Sequence, residues 1–261
     1  MYGDRVLILA PHPDDEVVGC AYAAMRAVAA GCAVAVLDLT TGVPDATAAW
    51  PWRRGRQVER VARRLREAAD ARAQLGLVAI GAPALPTRQV WRNLGAAAQA
   101  MSAAIARFRP SVLWAPAYEG GHIDHDAACF LAGHVAAGSP APAVWEYAAY
   151  NFDGGRIRSH AFPSALGSEV TLAPTDEERL RKAKALAAYA SERGNLDYVR
   201  LDREQFRPLA AYDFARPPHG GTTFYARFHW VPFRHPRIDR TTPAQLSAAL
   251  MSWPGPGGRD Q

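Results

Sequence analysis

Residues 6–16 of the chain read VLILAPHPDDE, an apolar run followed at once by a polar turn. The run at 6–10 is typical of a buried parallel strand. Residues 14–30 are predicted to form a helix, because Asp14 can cap the first turn and Gly31 can end the last one. A strand that enters a helix through a short turn is the first unit of a doubly wound α/β fold, and ligands of such folds bind at this turn.

The alternation of strand and helix continues along the chain. Apolar runs predict strands at 32–39, 77–80, 111–114, 144–150 and 169–172, and helical patterns predict helices at 55–75, 93–108, 126–137 and 175–193. This order predicts a Rossmann-like three-layer sandwich of class α/β, with a mostly parallel sheet and helices on both faces. Residues 212–230 are predicted to form a loop followed by a strand.

The domain organisation is predicted to be simple, because no linker divides the chain. We expect a single domain over 1–261, a length that suits one α/β unit. Its core is expected at 5–150 and elements of a substrate pocket at 151–250. A flexible tail is expected at 251–261, where proline and glycine accumulate.

The composition excludes a disordered chain and predicts no membrane partner. Hydrophobic residues make up 49% of the chain and charged residues 21%, as in soluble globular proteins. The uncharged apolar run at 27–37 is shorter than the ~20 residues that a membrane helix needs. No targeting segment is recognised, and the odd set of cysteines (Cys20, Cys32 and Cys129) argues against a disulfide framework. We therefore expect a cytoplasmic protein.

The net charge of 30 − 25 = +5 raises the question of a nucleic-acid partner. The arginines concentrate at 53–66, without interleaved aromatic side chains or a nucleic-acid motif. We interpret them as a solvated helix face and predict no nucleic-acid partner beyond weak, salt-dependent binding. No heptad pattern predicts an oligomeric state, which therefore remains unknown.

The first polar turn offers metal ligands rather than a nucleotide-binding loop. A dinucleotide site would need Gly-x-Gly-x-x-Gly after the first strand, and the chain instead has Pro11-His12-Pro13-Asp14-Asp15-Glu16, in which two prolines stiffen the loop. A neutral imidazole and a carboxylate are a partial ligand set for Zn²⁺. The alternative is structural, with Asp14 only a helix cap and His12 only a loop residue.

A second polar cluster, YEGGHIDH at 118–125, follows the predicted strand at 111–114. In a doubly wound sheet, the loops after the first and fourth strands lie side by side where the strand order reverses. His122 and His125 can therefore reach the same site as the first cluster. The alternative is a polar loop whose helix is capped by Asp124.

These two clusters together strongly resemble the PIG-L/LmbE-like family of zinc-dependent N-deacetylases, whose members act largely on N-acetylglucosaminyl groups. The resemblance covers residues 5–140 well and continues loosely through a late helix. Weaker matches are Thr41-Gly42, Arg64-Leu65-Arg66-Glu67, Ala71, Leu75-Gly76 and the segment from Lys182 to Ser191. Pro11 and Ile123 depart from the family's common Ala and Pro but leave the candidate ligands in place.

The resemblance implies a zinc site and an acid–base pair. His12, Asp15 and His125 would bind one Zn²⁺ per chain, and another divalent metal such as Fe²⁺ stays open. Asp14 would be the general base that takes a proton from the metal-bound water. His122 would stabilise the oxyanion of the reacting amide, as an imidazolium in one version of this role.

The remaining candidates are supporting residues. Asp124 is expected to orient a histidine ligand, with a helix cap as the alternative. Substrate contacts are expected from Arg64, from Tyr118 near the oxyanion and from His219 in a Pro/Gly-rich loop. Tryptophans in loops can either stack on sugar rings or pack in the protein, namely Trp50, Trp52 and Trp91.

The resemblance implies a metal-dependent hydrolase that removes acetate from an N-acetylated amino sugar or its conjugate. Its partner would be this small molecule, which the sequence does not identify further. Two alternatives stay open: a sugar- or metal-binding protein without catalysis, and an amidase that acts on another N-acyl substrate.

Overall fold

The computed structural model describes residues 1–138, 140–233, 235 and 238–255, except for the side chains of residues 51 and 53. The strands are Arg5–Ala10 (β1), Ala33–Asp38 (β2), Thr40–Pro44 (β3), Val78–Ala79 (β4), Leu85–Thr87 (β5), Val112–Pro116 (β6), Ala143–Tyr147 (β7), Tyr150–Asn151 (β8), Arg158–Ser159 (β9), Val170–Leu172 (β10) and Glu204–Pro208 (β11). The α-helices are Asp15–Ala29 (α1), Gln57–Leu75 (α2), Leu94–Phe108 (α3), Ile123–Ala136 (α4), Asp176–Ala188 (α5) and Pro243–Ser252 (α6).

The main sheet has seven strands in the order β10, β11, β7, β6, β1, β2 and β4. The strands from β7 to β4 run parallel, whereas β11 is antiparallel to β7 and β10 is antiparallel to β11. Strand β1 lies between β2 and β6, so the chain reverses its direction of travel across the sheet at this point. The predicted fold class is confirmed.

Helices cover both faces of this sheet, as the alternation of side chains along β1 requires. Val6 and Ile8 pack into the layer formed by α1, α2 and α5. Leu7 and Leu9 point the other way and pack against α3, α4 and α6. Because both faces are covered, the central strand is apolar at every position from Val6 to Ala10, and all of these residues are buried.

Buried ion pairs connect the first helical layer to the sheet. Arg72 of α2 donates to Glu16 at the start of α1 at 2.7 Å and to both carboxylate oxygens of Asp38 at the end of β2. At the other end of α1, the partly exposed Arg26 pairs with Glu178 of α5 at 2.7 Å. The Arg72 contacts fix the end of α1 that carries the first polar turn.

Several details differ from the sequence prediction, among them the following three. Residues 212–230, all of them described, contain a short 3₁₀ turn at Phe224–Ala226 and no strand, so the predicted strand is wrong. Strand β11, Glu204–Pro208, lies between β10 and β7 and was not predicted. Helix α4 begins at Ile123, before the predicted residue 126.

The boundary between the folded part of the chain and the predicted C-terminal tail also lies later than predicted. Helix α6 extends to Ser252, and the ring of Trp253 packs against Phe130 and His134 of α4. The predicted tail at 251–261 therefore begins with ordered residues, and its part at 256–261 lies outside the described residues. Within the described part of the chain, no helix combines the length and apolarity needed to cross a membrane.

Candidate metal centre

The two polar clusters meet because β1 and β6 are neighbours in the sheet. The turn after β1 carries His12 and Asp15, and His125 lies in the first turn of α4, after β6. His12 Nδ1 lies 3.3 Å from Asp15 Oδ2 and 3.3 Å from His125 Nε2. His125 Nε2 lies 3.1 Å from Asp15 Oδ1. Three donors from two distant segments therefore converge on one point.

The spacing and chemistry of this donor set fit a divalent metal. Ligands at about 2.1 Å from a tetrahedral zinc ion lie about 3.4 Å from one another, close to the separations of these atoms. Burial alone would lower the pKa of His12, but the charges of Asp15 and Asp124 raise it to about 10. The carboxylates thus favour a positive charge here, and two imidazoles with one carboxylate are a ligand set that hydrolytic zinc sites use.

Asp124 orients His12 toward this point. Its Oδ2 lies 3.0 Å from His12 Nε2, so in the neutral imidazole that binds a cation the nitrogen facing the carboxylate carries the proton and Nδ1 offers its lone pair. The same carboxylate accepts hydrogen bonds from the Thr87 hydroxyl at 3.1 Å and from the backbone amides of Arg88 and Val90. Its contacts are those of an orienting residue, and the cap of α4 is made by another side chain.

His122 caps helix α4 with its side chain. This hydrogen bond determines which of its ring nitrogens carries the proton. Its Nδ1 accepts a hydrogen bond from the backbone amide of Asp124 at 3.1 Å. An amide can only donate, so Nδ1 is unprotonated and a neutral His122 carries its proton on Nε2. Burial and the charge of His12 hold the pKa of His122 well below its usual value. This favours a neutral N–H donor over the imidazolium expected in one version of its role.

Asp14 occupies the position before α1, yet its carboxylate binds Arg64 of α2 instead of capping α1. Arg64 Nη2 lies 2.5 Å from Asp14 Oδ2, and the guanidinium is buried beside the ring of Tyr189. Gly42 makes room for this pair. Its φ is +68°, and a Cβ there would lie 2.9 Å from both Arg64 Nε and Pro13 Cδ.

Arg64 therefore contacts Asp14, a candidate catalytic residue, instead of pointing into open space. Residues 191–192, in the late segment that matches the family, contact Arg64 and its neighbour Glu67. Glu192 Oε1 lies 3.8 Å from Arg64 Nη1. Glu67, one turn along α2, accepts hydrogen bonds from the backbone amide and the hydroxyl of Ser191. The two weaker matches to the family, one in α2 and one around Tyr189, therefore contact each other in the fold.

The structure does not support the predicted substrate contact of Tyr118. Its hydroxyl donates to the carbonyl oxygen of Arg216 at 2.6 Å, and its ring packs between Tyr212 and Phe214. The side chain is buried and engaged in its own aromatic cluster, so it is not available to an oxyanion. This interpretation of the sequence is corrected here.

His219 lies against the second polar cluster without joining the metal donors. A Cβ on Gly120 would lie 3.1 Å from His219 Nε2, so the imidazole packs directly on the turn that precedes His122. Its Nδ1 accepts the backbone amide of Gly221 at 3.2 Å. His219 is therefore placed to shape one wall of the site.

The tryptophans divide into exposed and packed rings. The rings of Trp50 and Trp52 stack on each other at 5.2 Å, and Trp52 is 72% exposed. The ring of Trp91 is covered by the guanidinium of Arg92 at 4.5 Å. Packing explains Trp91, whereas the stacked pair presents aromatic surface to solvent.

Several supporting residues carry no signal in the sequence. Asp126 accepts the backbone amides of Glu119 and Gly120, and Glu119 accepts those of Ala149 and Tyr150. These two buried carboxylates hold the loop before His122 against the end of β7. Their spacing resembles that of any polar loop, so only the fold identifies them.

The comparisons with solved structures agree with this fold. A deacetylase from the biosynthesis pathway of teicoplanin is 20% identical, with a TM-score of 0.64 over 80% of this chain and 99% of its own. The A40926 pseudoaglycone deacetylase Dbv21 is also 20% identical, with a TM-score of 0.62 and the same coverage. GalB, a 4-carboxy-2-hydroxymuconate hydratase from Pseudomonas putida KT2440, is 15% identical, with a TM-score of 0.55 over 81% of this chain and 98% of its own. These likenesses establish a shared fold.

The family comparison concerns the half of the chain that carries both polar clusters. No curated protein matches the chain. Residues 7–136 match the PIG-L family, described as GlcNAc-PI de-N-acetylase. The chain therefore belongs to the PIG-L family, through a domain that spans residues 7–136.

Proposed function

We propose that the protein is a metal-dependent hydrolase that removes the acetyl group from an N-acetylglucosamine-type sugar or conjugate. The observation that carries this proposal is the convergence of His12, Asp15 and His125, with Asp14 beside them. The match to a family described as a de-N-acetylase supports it, as do structural neighbours that are deacetylases. We propose Zn²⁺ as the metal, one per chain.

The proposed chemistry divides among four side chains. A bound zinc ion would lower the pKa of its water to ~7 and polarise the amide carbonyl. Asp14, held by Arg64, takes a proton from the attacking water and delivers it to the leaving amine. The Nε2 proton of His122 is directed at the negative charge that develops on the amide oxygen. Asp124 keeps His12 in the tautomer that binds a metal.

The decisive experiment is release of acetate from a panel of N-acetylglucosamine compounds. The panel extends from the free sugar through disaccharides to inositol- and malate-linked conjugates. We expect metal-dependent release that a chelator abolishes, that Zn²⁺ restores and that Asp14→Asn reduces by 10²–10⁴-fold. Asp70→Asn, on the exposed side of α2, is the matched control and should retain activity.

The remaining outcomes separate the alternatives. Bound zinc without acetate release from any compound would leave the metal site and direct attention to other N-acyl substrates. Neither release nor metal binding would favour a binding protein on this fold. Purified protein that contains stoichiometric iron, and that is more active with iron than with zinc, would overturn the choice of metal alone.

We further propose that the protein acts in the cytoplasm. The three cysteines are free thiols, and Cys20 and Cys129 are buried in the two helical layers. Free thiols persist in reducing compartments. Fractionation of cells that express the protein would test this location.

A further inference from the structure

Tyr189, the residue that follows α5, is a buried side chain that the proposed chemistry does not use. Its hydroxyl donates a hydrogen bond to Glu16 Oε1 at 2.9 Å. Its aromatic ring faces the guanidinium of Arg64, whose Cζ lies 5.1 Å from the centroid of the ring. The hydroxyl and the ring thus have different partners, one at the start of α1 and the other in α2.

Both partners of Tyr189 border the candidate general base. Glu16 follows Asp14 by two residues in the first turn of α1, and Arg64 Nη2 lies 2.5 Å from Asp14 Oδ2. The four side chains therefore form a closed chain of contacts, which the backbone from 14 to 16 completes. In such an arrangement, Tyr189 fixes how far Arg64 can lie from the start of α1.

The hydroxyl of Tyr189 is bound to a group that is itself fixed. Glu16 Oε1 also accepts a hydrogen bond from Arg72 Nε at 2.7 Å, and the Glu16 side chain is fully buried. A tyrosine hydroxyl bound to this carboxylate has little freedom to move, and its ring is held with it. Glu16 therefore anchors Tyr189, and Tyr189 reaches from this anchor to Arg64.

The guanidinium of Arg64 relies on this ring for part of its position. Within the described part of the chain, its buried Nε and Nη1 atoms have no hydrogen-bond partner. Glu192 Oε1 lies 3.8 Å from Nη1, which is beyond hydrogen-bond distance. An aromatic ring attracts a guanidinium that lies within about 6 Å of its centroid, and the attraction is stronger where water is excluded. The ring of Tyr189 therefore contributes to the position of Arg64 beyond what the ion pairs provide.

We propose that Tyr189 is a positioning residue for Asp14, because it holds Arg64 where the guanidinium binds that carboxylate. The inference rests on the proposed function, in which Asp14 is the general base. Tyr189 is only 1% exposed, so it acts through Arg64 rather than on the substrate. Its hydroxyl and ring contact Glu16 and Arg64 rather than the three metal donors. Its loss should therefore lower kcat and leave KM and the zinc affinity nearly unchanged.

The first test is steady-state kinetics on the best acetylated substrate. Tyr189→Leu removes both the ring and the hydroxyl, and we expect kcat to fall about tenfold or more, with KM and zinc affinity changed by less than about twofold. Tyr189→Phe keeps the ring and loses only the anchor, so kcat should fall by about threefold. Activity that returns with the ring identifies the contact with Arg64 as its cause.

Tyr22→Leu is the matched control, because Tyr22 is a fully buried tyrosine of the same helical layer. Its hydroxyl donates to the carbonyl oxygen of Leu201 at 2.9 Å, and Lys182 Nζ lies 4.7 Å from the centroid of its ring. The substitution removes an equivalent hydrogen bond and an equivalent cation contact that involve neither Arg64 nor Asp14. It should lower the stability of the protein, as Tyr189→Leu does, and leave kcat unchanged.

The Arg64→Gln background separates positioning from a general structural effect. If Tyr189 acts through Arg64, Tyr189→Leu and Tyr189→Phe should each lower kcat by less than about twofold once the guanidinium is absent. Tyr189→Phe carries this test should Tyr189→Leu fail to fold. Losses of kcat that repeat in full in this background would overturn the inference, as would a Tyr189→Leu variant with the kcat of the parent protein. Both results would leave the deacetylase activity itself established.

A crystal structure of Tyr189→Leu gives a readout that does not need activity. We expect the distance between Arg64 Nη2 and Asp14 Oδ2 to exceed about 3.5 Å, whereas Tyr22→Leu should keep these atoms in contact. A displaced Arg64, together with a parent protein that releases no acetate, would refute the proposed function and support the positioning of Asp14 by Tyr189. An Arg64 that stays on Asp14 in Tyr189→Leu would overturn the inference.

Discussion

At the scale of single residues, Asp124 determines which nitrogen of His12 faces the candidate metal site. Its carboxylate binds His12 Nε2 and accepts the backbone amides of Arg88 and Val90. An asparagine side chain has the same shape as aspartate, but its N–H groups would face the N–H groups that now donate to Asp124. We expect Asp124→Asn to weaken zinc binding by 10–100-fold. Competition with a chromophoric chelator would measure this affinity.

The control for this substitution is Asp213→Asn, at an exposed position in the loop that follows β11. It changes the net charge by the same amount and should leave the zinc affinity unaltered. Zinc affinities within twofold of each other for the two variants would show that Asp124 does not orient a ligand.

Gly42 gives a second prediction at this scale. Alanine there would meet Arg64 and Pro13 at 2.9 Å, and the positive φ adds backbone strain. We expect Gly42→Ala to displace Arg64 from Asp14 and to lower kcat by tenfold or more, with a smaller change in KM. Steady-state kinetics on the best acetylated substrate would measure both constants.

Gly31 is the control that separates the effect of backbone strain from the effect of a steric clash with neighbouring side chains. Its φ is +84°, and nothing lies within 4 Å of a Cβ placed there. Gly31→Ala should therefore cost stability without a loss of kcat. Equal effects of the two substitutions on kcat would contradict the role of Gly42 in positioning Arg64.

The sequence alone predicts much of this site, and the reason is local. His12, Asp14 and Asp15 lie in one turn, and His122 to His125 in another, so their motifs can be recognised without the fold. The partners that hold them come from elsewhere, as Thr87 does for Asp124 and Arg64 for Asp14. No local pattern specifies such contacts, which depend on how α2 and the β5 segment pack around the turns.

At the scale of secondary-structure elements, β11 shows why one strand was not predicted. Its residues are Glu204-Gln205-Phe206-Arg207-Pro208, a polar pattern that does not indicate a buried strand. Glu204 and Arg207 are nevertheless buried, because each has a charged partner distant in sequence. Arg207 pairs with Glu146 of β7 at 2.5 Å, and Glu204 pairs with Lys182 of α5 at 2.8 Å.

The Lys182–Glu204 pair joins three elements. Lys182 Nζ also donates to the carbonyl oxygen of Val18 in α1, and Glu204 accepts the backbone amides of Tyr22 and Ala23. Removal of one charge would leave the other buried without its partner. We expect Lys182→Met to lower the free energy of unfolding by about 3–5 kcal/mol. Urea denaturation followed by circular dichroism would measure it.

Lys184 provides the matched control on the same helix, because it is exposed. Lys184→Met should change the free energy of unfolding by no more than about 0.5 kcal/mol. If both variants were equally stable, the buried pair would not hold β11 against α1 and α5.

At the scale of the whole molecule, acid stability should depend on His160. This residue is fully buried, and its Nε2 lies 3.0 Å from the carbonyl oxygen of Arg200. Burial and the charge of Lys182 lower its pKa from 6.5 to about 3. The folded protein therefore keeps His160 neutral at a pH where the unfolded chain has already bound a proton.

The sign of the effect follows from this difference in bound protons. Above pH 6.5 His160 is neutral in both states and contributes no pH dependence, whereas between pH 6.5 and about 3 the unfolded state binds one more proton. His160 should thus contribute a loss of about 1.4 kcal/mol of stability for each pH unit in this window.

Asparagine tolerates the positive φ of 54° at this position and does not titrate. We expect His160→Asn to flatten the curve of unfolding free energy against pH, measured by denaturant titration from pH 7 to 4, by this slope relative to the parent protein. His134→Asn, at an exposed position of α4, is the control and should leave the slope unchanged. Parallel curves for the parent protein and His160→Asn would mean that His160 is not held neutral by the fold.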